Sequence, residues 1–382
     1  MNRIITVAIL LAAFILTGCN QKPQTSRAIR FATFNAAMYR DEHGMLKKDL
    51  ETGGDEQIKI ISRIIQQVRP DVLVLQEIDY DPRGEYLDLL QKNYLGVSID
   101  GSKPINYPHA MAFPSNTGLP TKYDFNNDGS IHSAEDAYGY GEYPGQYAFA
   151  ILSKYPIDTA AMRSFQKFLW KDMPGAVMPE NEDGTPWYND KEKKAFRLSS
   201  KNHVDVPLHV NDQQIHVLIA HPTPPVFDGE EDRNGHRNHD EIRLIADYIS
   251  GKGKSDYLYD DSGIHGGIDT TQSFVIMGDM NADPEKGETY RNPIQMLLEH
   301  PQVNESVASG RLVPSHSDSS GNVKQTTAVF DMRIDYVLPS HDLKAVRSGV
   351  FWPKDGEGAQ LVKGKKGSDH RLVWVDVKVG NN

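Results

Sequence analysis

The residues able to do chemistry stand where apolar runs stop. Asn35 ends RFATFN, Glu77 follows DVLVLQ, His221 closes IHVLIAH, Asp279 and Asn281 follow FVIMG, Asp335 lies in RIDYVL, and Asp369-His370 precede LVWVDV. Carboxylates and carboxamides without thiols form a hard donor set, suited to a divalent cation such as Mg²⁺ or Mn²⁺. Histidines beside carboxylates suit oriented acid or electrostatic roles. A single cysteine, Cys19, excludes an internal disulfide and any cysteine-rich zinc site, so a metal must sit on oxygen and imidazole.

Residues this far apart meet only if a rigid scaffold gathers the strand ends into one mouth. The runs at 30–35, 71–78, 147–153, 215–221, 273–279, 334–339 and 372–379 are short and rich in Val, Ile and Phe, which predicts buried strands. Ile58, Ile61, Ile64, Ile65 and Val68 recur at helical spacing before Pro70, predicting an amphipathic helix over 55–68. A second helix is expected over 239–249. Asn211-Asp212-Gln213, between runs 204–210 and 214–221, predicts a hairpin. The stretches 101–146, 164–202, 223–238 and 251–271 are rich in Gly, Pro, Asp and Asn and read as long loops, which in a compact domain usually serve function. Strands from both ends of the chain carry the candidate chemistry, so 28–382 is expected to be one domain with loop insertions.

Taken in order, Asn35, Leu75-Gln76-Glu77, Ala220-His221-Pro222, Gly278-Asp279-Met280-Asn281, the run Arg333 to Leu338 and Ser368-Asp369-His370 resemble the endonuclease/exonuclease/phosphatase superfamily. The run Gly145 to Lys154 looks like that family's central strand. One tripeptide is a weak signal, whereas this many in the family's order are specific. The resemblance implies a deoxyribonuclease I-like fold, an α+β four-layer α/β/β/α sandwich, and hydrolysis of phosphate esters. It implies Glu77 as the central ligand of Mg²⁺ or Mn²⁺, with Asn35 and Asp369 completing or supporting the metal shell. Asp279 would orient and deprotonate the attacking water, and Asn281 would hold a nonbridging phosphate oxygen. His370, kept in its tautomer by Asp335, would stabilise the developing phosphorane charge, and His221 would contact the phosphate or assist the leaving oxygen. These roles meet what a phosphate ester needs: charge neutralisation, an aligned water and help for the leaving group.

Two departures shape the substrate. The deoxyribonuclease-like members carry an acidic residue just before the aromatic of the central strand, which orients the first histidine, and an arginine after the metal-binding glutamate. Here those places read Pro144-Gly145-Gln146-Tyr147 and Ile78-Asp79-Tyr80-Asp81. A duplex-DNA cutter of that kind is less favoured. Past His221, the stretch 223–241 brings Arg233, His236, Arg237 and His239 close in sequence. Arg233 and Arg237 are expected either to clamp a substrate phosphate or to pair with Asp232, Asp240 and Glu241 on a solvated loop. DFNNDGSIHSAE, Asp124 to Glu135, fits the twelve-residue calcium loop throughout. Asp124, Asn126 and Asp128 supply early oxygens, Gly129 the sharp turn, Ser130 a carbonyl and Glu135 a bidentate carboxylate, so a structural Ca²⁺ is expected.

With 382 residues, 38% hydrophobic and 24% charged, the chain can bury a full core. A net charge of -11 removes the diffuse positive field of nonspecific nucleic-acid binders. Residues 1–19 show a positive start at Arg3, an apolar run from Ile4 to Leu16 that is short for a permanent anchor, and Leu16-Thr17-Gly18-Cys19, which resembles a bacterial lipobox. That resemblance implies a signal peptide over 1–18, lipidation of Cys19, a tether over 19–27 and a location in the cell envelope, on the periplasmic, outer-membrane or extracellular side. The expected function is therefore an extracytoplasmic, lipid-anchored, metal-dependent phosphoesterase acting on mono- or diesters, with nucleic acid a less favoured partner. The alternative in the same class is a secreted nuclease of extracellular DNA. A non-catalytic surface binding protein on the same fold would have lost some metal or water-activating residues, and all are present.

Overall fold

The computed structural model describes residues 28–379. The expected leader, Cys19 and the tether lie outside the described residues. The apolar runs become strands: β1 (Ile29–Asn35), β2 (Val72–Ile78), β3 (His109–Ala112), β4 (Ala148–Ser153), β5 (Arg163–Ser164), β6 (His203–Val210), β7 (Gln213–Ala220), β8 (Ser273–Asp279), β9 (His316–Ser317), β10 (Val323–Lys324), β11 (Asp335–Pro339), β12 (Lys344–Val350) and β13 (Val373–Lys378). They form one sheet in the order β12-β13-β1-β2-β4-β3 and another in the order β11-β8-β7-β6-β5, with β9 and β10 as a separate ribbon. Each sheet is antiparallel except for one pair, β1 with β2 and β7 with β8.

A parallel pair needs a crossover, and a helix supplies it. Met45–Thr52 and Glu56–Val68 connect β1 to β2, and Arg233–Ile249 connects β7 to β8. The period of two along a strand then sorts side chains between layers. Phe31, Val72 and Val74 join Val206, Val217 and Val275 in the core between the sheets. Ala32, Phe34, Leu73 and Leu75 pack instead with Leu46, Leu50, Ile58, Ile61 and Ile65 of the helices. On the second sheet Leu218 lies with Leu244, Ile245 and Tyr248 of the long helix. The result is a four-layer α/β/β/α sandwich, in which β1 and β2 pack back to back with β8.

Local signals explain most boundaries. The carboxylate of Asp55 accepts from Ile58 N at 2.9 Å to cap the helix Glu56–Val68, and Arg69 closes it in the left-handed region just before Pro70. The hairpin turns on Asn211 and Asp212 alone, because Val210 and Gln213 are already paired. Three expectations need correction. The second helix begins at Arg233 rather than at His239. Its first turns contain Asn234, Gly235 and Asn238, weak helix formers whose cost is offset by tertiary contacts: Arg237 donates to the carbonyls of Leu198 and Arg197 at 2.8 and 3.1 Å, and Asn238 to those of Thr223 and Met280 at 2.8 and 3.0 Å. The presumed loop 101–146 contains β3. The unpredicted β12 is an edge strand whose half-exposed residues lack a strong apolar alternation.

Candidate active site

A bulge delivers the first carboxylate. Along β2, Leu73 and Leu75 face the helices, and a regular strand would send Glu77 after them. The register slips between Gln76 and Ile78, and Glu77 adopts φ +57°. That extra residue turns the Glu77 carboxylate into the mouth between the sheets and returns Ile78 to the helix side. There Asn35, at the end of β1, donates from Nδ2 to Glu77 Oε1 at 3.0 Å and to Asp279 Oδ2 at 3.1 Å. One carboxamide thus ties the two sheets together. Ala37, Tyr147 and Asn281 also hold positive φ. Such conformations cost about 1–3 kcal/mol each and gather where function over-determines the backbone.

The second sheet supplies a pair. Asp279 and Asp335 are register partners across β8 and β11. Asp279 Oδ1 accepts from Asn281 N at 2.9 Å, and the Asn281 amide donates to Pro222 O at 3.0 Å. His370 Nδ1 sits 3.0 Å from Asp335 Oδ2 and 3.7 Å from Asp279 Oδ2. The Thr327 hydroxyl donates to Asp335 Oδ2 at 2.7 Å while accepting from the N–H groups of Ile334 and Asp335. Ser368 anchors the last motif, donating to Asn35 O at 2.7 Å and accepting from His370 N at 3.0 Å.

The two histidines differ in charge. Burial alone would strip the His370 proton, but Asp335 and Asp279 more than offset it and push its pKa up to about 10, so it is an imidazolium at neutral pH. His221, whose Nε2 lies 3.6 Å from Asp279 Oδ2, is held well below the ordinary histidine range by burial, with Lys201 and His370 adding to the effect. It is a neutral imidazole whose buried Nδ1 has no hydrogen-bond partner among the described residues. The position before the central strand supplies it no carboxylate: Gln146 accepts from Glu142 N and donates to Arg40 O instead. Burial, with the Asp335 charge adding, pushes Asp279 up to about 7, against the lowering pull of His370 and Asn35. Burial likewise raises Glu77, and the Asp369 charge contributes in the same direction.

Among the described residues, Asp279, Asp335 and His370 form a carboxylate–imidazole group whose ligand atoms lie within 4.8 Å of one another, compatible with a metal. The His370 cation already neutralises much of it. Glu77 has no cation within ion-pairing distance among the described residues, whereas Asp369 Oδ2 is held by Lys365 Nζ at 3.1 Å.

Beside Glu77 and His221 opens a cavity of about 530 Å³. Sequence reasoning missed its central cation, Lys201, which is buried and whose ammonium makes no hydrogen bond or ion pair among the described residues. Burial pulls its pKa down, while Glu241, Glu77 and Asp279 push back. The one available signal was its place two residues before β6, whose His203 pairs with Ala220 next to His221. Glu241 was also missed as a strut. Its carboxylate accepts from Ser200 N and Thr223 N, each at 2.6 Å, and so fixes both walls beside Lys201. Arg233 and Arg237 line the same cavity, with their charges already engaged. Arg237 is buried and serves backbone carbonyls, whereas Arg233 pairs with Glu231 and, at 2.9 Å, with Glu135. Among the described residues neither arginine pairs with Asp232, Asp240 or Glu241, and both stand on the helix rather than on a solvated loop. Asp240 instead accepts from Trp170 Nε1 at 2.6 Å. In the 124–135 loop, Asp124 accepts from Asp128 N and Gly129 N, Asp128 accepts from Ser130 N at 2.7 Å, and Glu135 begins at the cavity wall.

The chain matches the family described as "Endonuclease/Exonuclease/phosphatase family" over residues 32–370. No curated protein matches it. Among solved structures, it is similar to an endonuclease/exonuclease/phosphatase from Beutenbergia cavernae at 17% identity, covering 93% of this chain and 72% of that one with a TM-score of 0.51. It is also similar to sphingomyelinase C from Streptomyces griseocarneus, at 17% identity, 91% and 99% coverage and a TM-score of 0.47. An AP endonuclease from Archaeoglobus fulgidus gives 13%, 92% and 100%, and 0.45. The family model spans most of the chain, and with it come divalent-metal chemistry and the sandwich described above: this protein belongs to the endonuclease/exonuclease/phosphatase family and is a hydrolase of phosphate ester bonds.

Proposed function

We propose that the protein is an extracytoplasmic, metal-dependent phosphoesterase that cleaves small phosphate esters by in-line attack of water, held to the cell envelope through Cys19. The observation that carries this reading is the position of Asp279. Its Oδ2 is approached by Asn35, His221 and His370 at 3.1, 3.6 and 3.7 Å, so one carboxylate at the seam of the two sheets adjoins both candidate histidines and the carboxamide that also holds Glu77. Pushed up to about 7, it is matched to accept a proton from water near neutral pH.

The donor set fits a hard divalent cation. Burial, with the Asp369 charge adding, raises the energy of the Glu77 carboxylate, and Asn35 keeps it aimed at the mouth. Glu77 and Asp369 would hold Mg²⁺ or Mn²⁺ with support from Asn35. The ion, when bound, supplies charge neutralisation to the phosphate. Asp279 takes the proton of the attacking water, and Asn281 holds a nonbridging oxygen. The His370 imidazolium, fixed by Asp335 and Thr327, faces the charge that builds on the pentacoordinate phosphorus. Neutral His221 and cationic Lys201 contact the phosphate from the cavity side. Asp124, Asn126, Asp128, the Ser130 carbonyl and Glu135 would bind a structural Ca²⁺ that orders the cavity wall.

The test is hydrolysis by the chain from residue 28 onward, stripped of metal and resupplied with Mg²⁺, Mn²⁺ or Ca²⁺, against p-nitrophenyl mono- and diesters, nucleotides, phospholipids and plasmid DNA. Metal-dependent turnover of a small ester, lowered at least about a hundredfold by Asp279→Ala, is expected. Turnover indifferent to that substitution would remove Asp279 from the mechanism, and selective cleavage of the plasmid would move the substrate to nucleic acid.

A further inference from the structure

The cavity holds an aromatic wall that the phosphate chemistry does not use. Phe227 lines it while 85% exposed, and its backbone is held at φ +69°. A bulky residue rarely adopts that conformation, and the ring it holds is left open to a ligand in the cavity. Across the lining, Tyr147 packs 4.5 Å from Tyr39 and 6.4 Å from Tyr140, ring centre to ring centre. Tyr140 is itself 54% exposed. Burial raises the phenol pKa of all three tyrosines, so they present neutral rings. A volume of about 530 Å³ is that of a small-molecule site, and Glu77 at its edge places the metal-binding mouth beside it.

We propose that this cavity is a specificity subsite for the planar aromatic group of a small phosphoester, seated against Phe227, Tyr140 and Tyr147 with its phosphate at Glu77. The inference rests on the phosphoesterase reading and names the class of substrate it serves. Aromatic faces favour a flat, polarisable partner over a flexible chain of equal size. The flat group can be an aryl ring or a nucleobase, and the test separates them.

Three diesters share a p-nitrophenyl leaving group and differ in the retained group: methyl, phenyl and thymidine-5′. With the full chain in detergent and Mg²⁺, kcat/KM for the phenyl or the thymidine ester should exceed that for the methyl ester by about tenfold or more, the larger of the two identifying ring or nucleobase. Phe227→Leu and Tyr140→Leu should each collapse that ratio, and Phe227→Tyr should restore it. A ratio unmoved by the leucine variants overturns the proposal, as does a ratio near one when phenylphosphonate also binds no tighter than methylphosphonate, since the shared p-nitrophenyl ring can itself fill the subsite. Calorimetric binding of phenyl-, hexyl- and methylphosphonate to the same protein reads the cavity without turnover. Phenylphosphonate binding tightest supports the subsite even if no ester is cleaved, in which case the phosphoesterase reading alone fails. Hexylphosphonate binding as tightly as phenylphosphonate overturns the aromatic assignment.

Discussion

Asp335→Asn isolates the ion pair that keeps His370 charged. The His370 pKa stands near 10 against an ordinary 6.5, and each unit is worth about 1.4 kcal/mol, so its surroundings favour the imidazolium by about 5 kcal/mol despite burial. A charge pair at the observed 3.0 Å interacts by a similar amount, about 5 kcal/mol, at an effective dielectric of 20. Asp279, at 3.7 Å, remains in the variant, and the asparagine keeps the volume. Asp335 contributes more than Asp279 to holding the proton, so the histidine pKa should fall by about 2 units or more. The assay is the pH profile of kcat/KM for bis(p-nitrophenyl) phosphate at saturating Mg²⁺, which reports ionisations of the free enzyme. Wild type should lose activity as His370 deprotonates near pH 10, and the variant should begin that loss at least about 2 units lower. Stability carries the same sign. A histidine raised above its unfolded pKa stabilises the fold fully below about pH 6.5, and that contribution disappears as pH climbs through about 10. An alkaline limb that stays in place in Asp335→Asn would refute the charged-histidine mechanism.

Lys201→Met should lower kcat/KM about tenfold, because a buried charge facing the phosphate is gone, and should raise the His221 pKa, which the lysine depresses; NMR titration of His221 checks the sign. Thr327→Val leaves Asp335 Oδ2 without its hydroxyl donor and two N–H groups without an acceptor, so urea unfolding should show a loss of about 1–3 kcal/mol. Glu135→Gln should abolish Ca²⁺-dependent thermal stabilisation, while an unchanged Tm shift on adding Ca²⁺ would remove the loop as a calcium site.

The sequence displayed those parts of the site that lie on strongly patterned strands. Asn35, His221 and Asp279 were legible because short apolar runs lead directly into them, and the order of motifs located Asp335 and His370. The bulge at Glu77 was not legible, since alternation along DVLVLQEI assigns the glutamate to the helix side and only the paired strand β4 reveals the slipped register. Lys201 was hidden for another reason. Ser-Ser-Lys-Asn reads as solvated loop, and its burial arises from Glu241, a helix residue forty positions later that draws the backbone at Ser200 inward. The early helical turns at Arg233 were concealed by local propensity that tertiary hydrogen bonds override.

The Asn35 carboxamide, bonded at once to a carboxylate of each sheet, makes catalytic competence a gauge of how the two halves of the sandwich are seated. A sideways slip of one sheet by a single ångström would break one of those bonds while leaving every strand, helix and most of the core in place. Activity should therefore vanish before circular dichroism records any unfolding, under mild urea or pressure alike. Neither sheet on its own, however well folded, contains a working half of the enzyme.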